Sequence, residues 1–379
     1  MQQLPTHLFP GATEIGSARW GDYIYLFGGW TRERNGYLAE DIQRYNIKTG
    51  MVEQIKTTLP INTSGALTIT YNDAIYVIGG YQKSDPATTI FKFDPITETI
   101  TTLGISLPVG IVNGTGVLVG DGIVYVTSGC REVNNTNQGL DKIIKIDLKN
   151  NKVEQFAYGI NTPCYYTAEA VYGSKQYIIG GKTSAGTELN LIQWFDFETL
   201  EVGTLTTKLP KNIFATKAVI VDDLIYVVGG ASGSSSLKTI YIFNPNTAEI
   251  SLFPQTTPWT AGYIAVESVD NTIFVFGGGG SDWIIAGKMT PYCFTPYPEG
   301  TCIIKIGYEN PDGETLYTMT HKSINTYGYI EKVFLTTSSG IQEVTWTNKG
   351  ASHSNAQYKN PAFNFGTEES TSQGYIRSS

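Results

Sequence analysis

The stretch Ile24–Trp30 reads IYLFGGW, a short apolar run that ends on two glycines and an aromatic residue. Near-copies stand at Ile75–Tyr81 (IYVIGGY), Val124–Cys130 (VYVTSGC), Tyr177–Lys182 (YIIGGK), Ile225–Ala231 (IYVVGGA) and Ile273–Gly279 (IFVFGGG). The first glycine, or its equivalent, falls at Gly28, Gly79, Ser128, Gly180, Gly229 and Gly277, at steps of 51, 49, 52, 49 and 48 residues. So even a period indicates repeated supersecondary units, each too small to bury both of its faces alone.

Each unit has further internal order. After the doublet comes a second apolar run marked by Tyr45, Phe93, Ile146, Phe195 or Phe243, followed by Asn or Asp and a turn. Seven residues beyond the marker stands Val52, Ile100, Val153, Val202 or Ile250, and Pro60, Pro108, Pro163, Pro210 or Pro258 closes the unit. Short alternating runs between turns predict four strands per unit. Four strands make a small twisted sheet, and six such sheets packed radially would cover one another. The doublets Gly28–Gly29, Gly79–Gly80, Gly180–Gly181, Gly229–Gly230 and Gly277–Gly278 are predicted to be structural. A Cβ there would meet neighbouring backbone, and the chain needs positive φ.

On these doublets and this period the chain resembles the kelch-repeat β-propeller family, in a divergent six-bladed form over residues 1–290. Val or Ile stands where the family usually has a later Trp. The resemblance implies an all-β propeller fold, and the sixth repeat, which lacks a clear fourth strand of its own, suggests closure by the N-terminal strand. Residues of about 2–8 would form the outer strand of the last blade, with Pro10 taking the place of a closing proline; the alternative is a leader without structure. Residues 296–379 lie outside the repeat and read as a small antiparallel β domain with a polar tail, built on two hairpins.

Composition limits the function. The chain has 379 residues, a net charge of −8 and no run of clustered Lys and Arg, so nucleic acid is not an expected partner. No basic-then-apolar leader opens the chain and no apolar window is long enough for a bilayer, so a soluble protein without a signal peptide is expected, virion-borne or cytoplasmic. Four cysteines without CxxC spacing and three histidines predict neither metal nor cofactor. Cys130 with Cys164, and Cys293 with Cys302, either bridge or stay as thiols; geometry decides.

Loops that follow the second and fourth strands of a blade open on one face, the default place for a site. From doublet to marker the counts are 17, 14, 18, 15 and 14, so the additions lie in WTRERNGY (Trp30–Tyr37) and CREVNNTNQGL (Cys130–Leu140). The candidate ligand-binding residues on this face are Trp30, Arg32, Arg34, Tyr81, Arg131, Asn134, Tyr165, Trp259 and Trp283. Aromatic rings beside Arg and Asn suit sugars or polar polymers. Glu169 and Lys217 occupy nearly equivalent innermost positions in adjacent repeats, placed to form a structural ion pair or, less simply, an acid–base pair.

Three functions follow. The first is a non-catalytic binding module for a surface glycan or protein, similar to phage tail-fibre receptor-binding platforms, with assembly contacts through the C-terminal domain. The second is a sugar-acting enzyme of the sialic-acid epimerase kind, which the kelch resemblance also implies. The third is an intracellular protein-interaction adaptor.

Overall fold

The computed structural model describes residues 12–279 with short gaps, together with Gln2–Gln3, Leu8, and the strands of residues 292–377 as backbone. Residues 32–37, 83–84, 134–135, 258–259, 271 and 280–291 are among those outside the described set. Every regular element described is a strand. No helix is long and apolar enough to cross a membrane.

Residues Met1–Phe294 form one compact unit and Thr295–Ser379 a second. The first contains six sheets on one plan, each a consecutive antiparallel meander. Blade one consists of Gly16–Trp20, Tyr23–Phe27, Ile42–Asn46 and Val52–Gln54. Blades two to five begin at Leu67, Val112, Ala168 and Lys217. Blade six runs through Gly262–Val269, Thr272–Gly279 and Tyr292–Phe294, and its outer edge carries Gln2–Gln3, with Gln2 opposite Cys293 and Gln3 opposite Tyr292. The first unit thus reaches Phe294 rather than residue 290, because Tyr292–Phe294 supplies blade six with a third strand. Phe294 stands 17 residues after Gly277, as Tyr45 does after Gly28, and lies opposite Ile273 as Tyr45 lies opposite Ile24, so this strand holds the marker position of blade six.

The markers act between blades. Phe93 packs on Tyr25 and Phe27 of blade one at ring-centroid distances of 5.5 and 5.6 Å. Phe195 meets Tyr125 at 5.1 Å and Phe243 meets Tyr177 at 5.4 Å. Tyr45 of blade one lies 5.5 Å from both Phe274 and Phe276 of blade six. Each marker ring is thus inserted against the doublet strand of the preceding blade. Full burial of such a ring contributes about 1.5–3 kcal/mol, and edge-to-face geometry adds roughly 0.5–1.5 kcal/mol. The Asn or Asp after the marker has a separate duty: Asn46 Oδ1 accepts from the amides of Lys48 and Thr49, and Asp94 and Asn244 repeat the arrangement. A short polar side chain closes the turn to the fourth strand by mimicking a backbone carbonyl.

The doublets fasten neighbouring blades. Gly28, Gly79, Gly180, Gly229 and Gly277 all have φ between +59° and +67°. A Cβ on any of them would press into the carbonyl oxygen of Thr63, Ile111, Ile213, Ala261 or Ala12, always in the segment leading into the next blade. Gly277 and Ala12 apply the same contact between the last blade and the start of the chain. Blade three departs from the rule: Ser128 replaces glycine and shares hydrogen bonds of 2.8 Å with Thr115 and Thr167. There the register slips between Val112 and Thr115, and Gly114 across the pair provides the missing room.

In the second unit, Cys302–Ile304, Thr318–Ile324, Ile330–Thr337, Gly340–Asn348 and Ala356–Tyr358 form one antiparallel sheet in chain order. Ile330–Thr337 and Gly340–Asn348 make the hairpin expected around the Ser-Ser-Gly turn, with Thr337 opposite Gly340. The Pro-Asp-Gly turn of the other hairpin lies outside the described residues.

Candidate functional site

A belt of backbone rings the axis of the first unit. Glu14, Gly65, Asn113, Tyr166, Ala215 and Tyr263, one per blade, all have φ between +50° and +62°. Each amide donates to the carbonyl of the previous member: Gly65 to Glu14, Asn113 to Gly65, Tyr166 to Asn113, Ala215 to Tyr166, Tyr263 to Ala215, and Glu14 to Tyr263, at 2.7–3.4 Å. Five of these six positions are not glycine and adopt a conformation that L-residues avoid, so the closed hydrogen-bond circuit holds them there.

The belt frames a cleft at the mouth of the ring, lined by Glu14, Asn113, Tyr166 and Tyr263, with Thr167, Thr216 and Lys217 beneath. Tyr166 donates its hydroxyl across the ring to Glu14 Oε1 at 3.0 Å, and Ser64 Oγ approaches Oε2 at 3.3 Å. Burial pushes the Glu14 carboxyl above its ordinary value, although hydrogen bonds from Tyr166, Asn113 and Ser64 oppose the shift. Burial also raises the Tyr166 and Tyr263 phenols, and the Glu14 charge adds to both. Tyr165, Tyr166, Phe214 and Tyr263 form an aromatic crescent over blades four to six, with centroid spacings of 5.3–6.3 Å. Lys182 places its ammonium 3.5 Å from the centroid of Phe214 and 3.8 Å from Glu188.

Deeper in the ring lie Glu169, Lys217 and Glu267. Glu169 accepts from Gln176 Nε2 at 2.7 Å and from the Gly116 amide; burial lifts its pKa to about 7 against the pull of Lys217. Glu267 accepts from Ser17 Oγ at 2.7 Å and is also raised by burial. Among the described residues no contact ion pair joins Lys217 to either acid, so the pairing expected of Glu169 and Lys217 gives way to hydrogen bonds. Gln176 reaches Glu169 from the neighbouring strand of the same blade, and a lysine ammonium acts on both carboxylates only through space.

The loop-face candidates separate by environment. Trp30 is half-buried and exchanges backbone hydrogen bonds of 2.9 and 2.7 Å with Thr13. Tyr81 is half-buried in a short strand paired with Thr63–Ser64. Tyr165 is only 7% exposed, packed with Val112 and Cys130, so its ring supports the mouth rather than facing solvent. Arg131 is held by Asp141 at 3.0 Å and Gln138 at 3.4 Å. Arg32, Arg34, Asn134, Trp259 and Trp283 lie outside the described residues. Cys130 and Cys164 are both buried and not disulfide-bonded; Gln193 donates to Cys164 Sγ, whose thiol burial pushes up to about 12. The side chains of Cys293 and Cys302 lie outside the described residues. Among the described residues no group of three His, Cys, Asp or Glu side chains is placed to hold a metal ion.

Loop length directed attention to blades one and three and missed Glu14, Asn113, Lys182, Phe214 and Tyr263. The usable signal was register. The belt positions recur at steps of 51, 48, 53, 49 and 48 residues, two places before the inner strand in four blades and at its second residue in blades three and six.

The profile of the KLHDC2/KLHL20/DRC7 Kelch-repeats domain matches residues 113–294, and that of the Kelch motif matches residues 62–99. The chain is 24% identical to human Kelch-like protein 23 over 233 residues, covering 60% of this chain and 38% of that protein. It is also 24% identical to human Kelch domain-containing protein 1 over 304 residues, 69% of this chain and 74% of that one. The chain therefore spans little more than a third of Kelch-like protein 23. The solved structure titled "Structure of YjhT" superposes with a TM-score of 0.63 at 14% identity, over 77% of this chain and 95% of that chain, a likeness of fold.

Proposed function

The chain is a kelch-repeat protein, and from that premise we propose that its ring is a non-catalytic binding module that holds a protein or a surface glycan on the loop face. The observation that carries the reading is how the mouth is framed. Doublet loops and closing segments are joined by backbone pairs such as Thr13–Trp30, Tyr165–Lys182 and Phe214–Ala231. Of the residues so joined, Trp30 and Lys182 are half-buried, while Tyr165 and Phe214 are buried. A site held by paired backbone binds without ordering loops first, which removes part of the entropic cost of association.

The test uses the purified full chain on glycan and peptide arrays. Trp30→Ala and Tyr81→Ala should abolish capture of a ligand. Ile96→Ser should leave it intact, because Ile96 lies 71% exposed in the turn to a fourth strand, on the opposite side of the blade. Capture that survives both loop-face substitutions overturns the reading. A second reading, a sugar-acting enzyme, is favoured by one observation: Glu169 has a pKa near the working range of a general base. Turnover of N-acetylneuraminate that is lost in Glu169→Gln would support it, and no turnover would dismiss it.

A further inference from the structure

Where five repeats agree on a residue type, a buried departure in the sixth points to another use. The residue before the doublet is Phe27, Ile78, Ile179, Val228 or Phe276, but blade three has Thr127, and Ser128 follows where the others have glycine. The residue opposite the marker position is Ile24, Ile75, Val124, Ile225 or Ile273, but blade four has Gln176 opposite Phe195. Thr127, Ser128 and Gln176 are fully buried, and Thr115 and Thr167 are at most 2% exposed. Groups of this kind cost stability away from water unless each finds a partner.

Their partners are one another. From Thr167, a residue of the cleft lining, hydrogen bonds pass to Ser128 at 2.8 Å, on to Thr115 at 2.8 Å and on to Thr127 at 3.4 Å. Thr127 donates to Gln176 Oε1 at 3.0 Å, and Gln176 Nε2 donates to Glu169 at 2.7 Å. A hydroxyl has one hydrogen to give. With Glu169 ionised, the hydrogen of Thr127 is spent on Gln176, so every contact carries a hydrogen only when Thr115, Ser128 and Thr167 all donate inward. With Glu169 protonated by solvent, its O–H can donate to the amide oxygen, and a Gln176 amide turned over meets the same two partners at the same spacing. Thr127, Thr115 and Ser128 then donate outward, and the hydrogen of Thr167 is released from the chain. Both states are accessible near neutral pH, since burial lifts the carboxyl to about 7.

The surroundings leave Glu169 to set the direction. Lys217 is the charge that acts on it from blade five, and the strand Val112–Val119 of blade three has no titratable side chain. Beside Gln176, Lys175 lies over Trp194 and Tyr177 packs on Phe243. Glu267 in blade six accepts from Ser17, with Lys217 and Arg19 acting on it through space.

We propose that this chain is a proton-controlled switch: protonation of Glu169 turns over the Gln176 amide, reverses the hydrogen bonds between blades three and four, and changes Thr167 in the cleft lining from an acceptor into a donor. The switch goes beyond the loop-face reading and is independent of which ligand the cleft holds.

The test is NMR on the full chain, with glutamate carboxyls labelled with carbon-13 and glutamine amides with nitrogen-15. The Glu169 carboxyl should titrate with a midpoint near 7. Above the midpoint the Gln176 amide hydrogens should show Overhauser contacts to the Glu169 methylenes, and below it to the Thr127 methyl. The Thr167 hydroxyl hydrogen should lie on Ser128 above the midpoint and leave it below. In Thr127→Val the carboxyl should still titrate while the Thr167 hydrogen no longer changes place, and Thr127→Ser should restore the change. An unaltered circular dichroism spectrum certifies folding in each variant. An amide that keeps one orientation on both sides of the midpoint, or a Thr167 hydrogen that behaves alike in the native chain and in Thr127→Val, overturns the proposal.

Discussion

Substituting Gly229 by alanine tests the way blades are joined. Its φ is +59°, and a Cβ would enter the space of both the Ala261 carbonyl oxygen and the Ala261 side chain. The neighbour cannot simply rotate away. The Gly229 amide is bonded to Thr239 O at 2.9 Å and the Gly230 amide to Ala261 O at 2.7 Å, so blades five and six would have to separate. The left-handed conformation alone costs an L-residue about 1–2 kcal/mol, and forcing extra volume into a packed contact adds about 1–3 kcal/mol. Gly173 isolates the first contribution: its φ is +60° and a Cβ there would meet nothing within 4 Å. Gly173→Ala should therefore lower stability by about 1–2 kcal/mol and Gly229→Ala by about 2–5 kcal/mol. In a domain of this size, at about 2 °C per kcal/mol, the melting temperatures should fall by roughly 2–4 °C and 4–10 °C. Calorimetric scans of both variants at one scan rate decide the matter. Equal losses would refute the argument that the doublet exists for close approach between blades, leaving only its backbone conformation.

Glu169 makes stability depend on pH in a defined direction. Its pKa rises from 4.5 to about 7 on folding, so the folded chain binds the extra proton between those values and stability falls as pH rises through that window. The full cost at higher pH is on the order of 3 kcal/mol; Glu169→Gln should flatten this fall in urea midpoints measured from pH 4 to 8, and an unchanged slope would contradict it. Asn46→Ala removes the acceptor for two amides of the blade-one turn and should cost about 1 kcal/mol in the same assay. At pH 8 a thiol titrating near 12 is about one part in ten thousand thiolate. Cys164 should therefore resist iodoacetamide in the native chain and react only after denaturation, as peptide mass mapping would show.

The scaffold was legible because each of its parts repeats for a local reason. Doublets, markers and the Asn or Asp after them each solve one steric or hydrogen-bonding problem, and the solution is copied blade by blade. The mouth was harder to see, because the belt is defined by backbone conformation and not by residue type. Glu14, Gly65, Asn113, Tyr166, Ala215 and Tyr263 share a φ and a hydrogen-bond partner but no chemistry. Tyr165 illustrates the opposite difficulty: its loop address suggests a ligand contact, while packing against Val112 and Cys130 covers its ring. Glu169 and Lys217 act on each other only through space, and their register differs by one place: Lys217 lies opposite Val228, one residue before Gly229, whereas Glu169 lies opposite Ile178, two before Gly180.

The bond from the Glu14 amide to Tyr263 O joins positions nearly 250 residues apart in the chain. On a ribosome, blade one is complete long before its neighbour on that side exists. Until blade six emerges, the apolar flank around Tyr45 waits without Phe274 and Phe276. A message truncated before residue 262 would release an open arc with a greasy edge at each end, competent to stack on other arcs. The long-range latch is thus also a proofreading step, since only chains that reach their own beginning hide both edges.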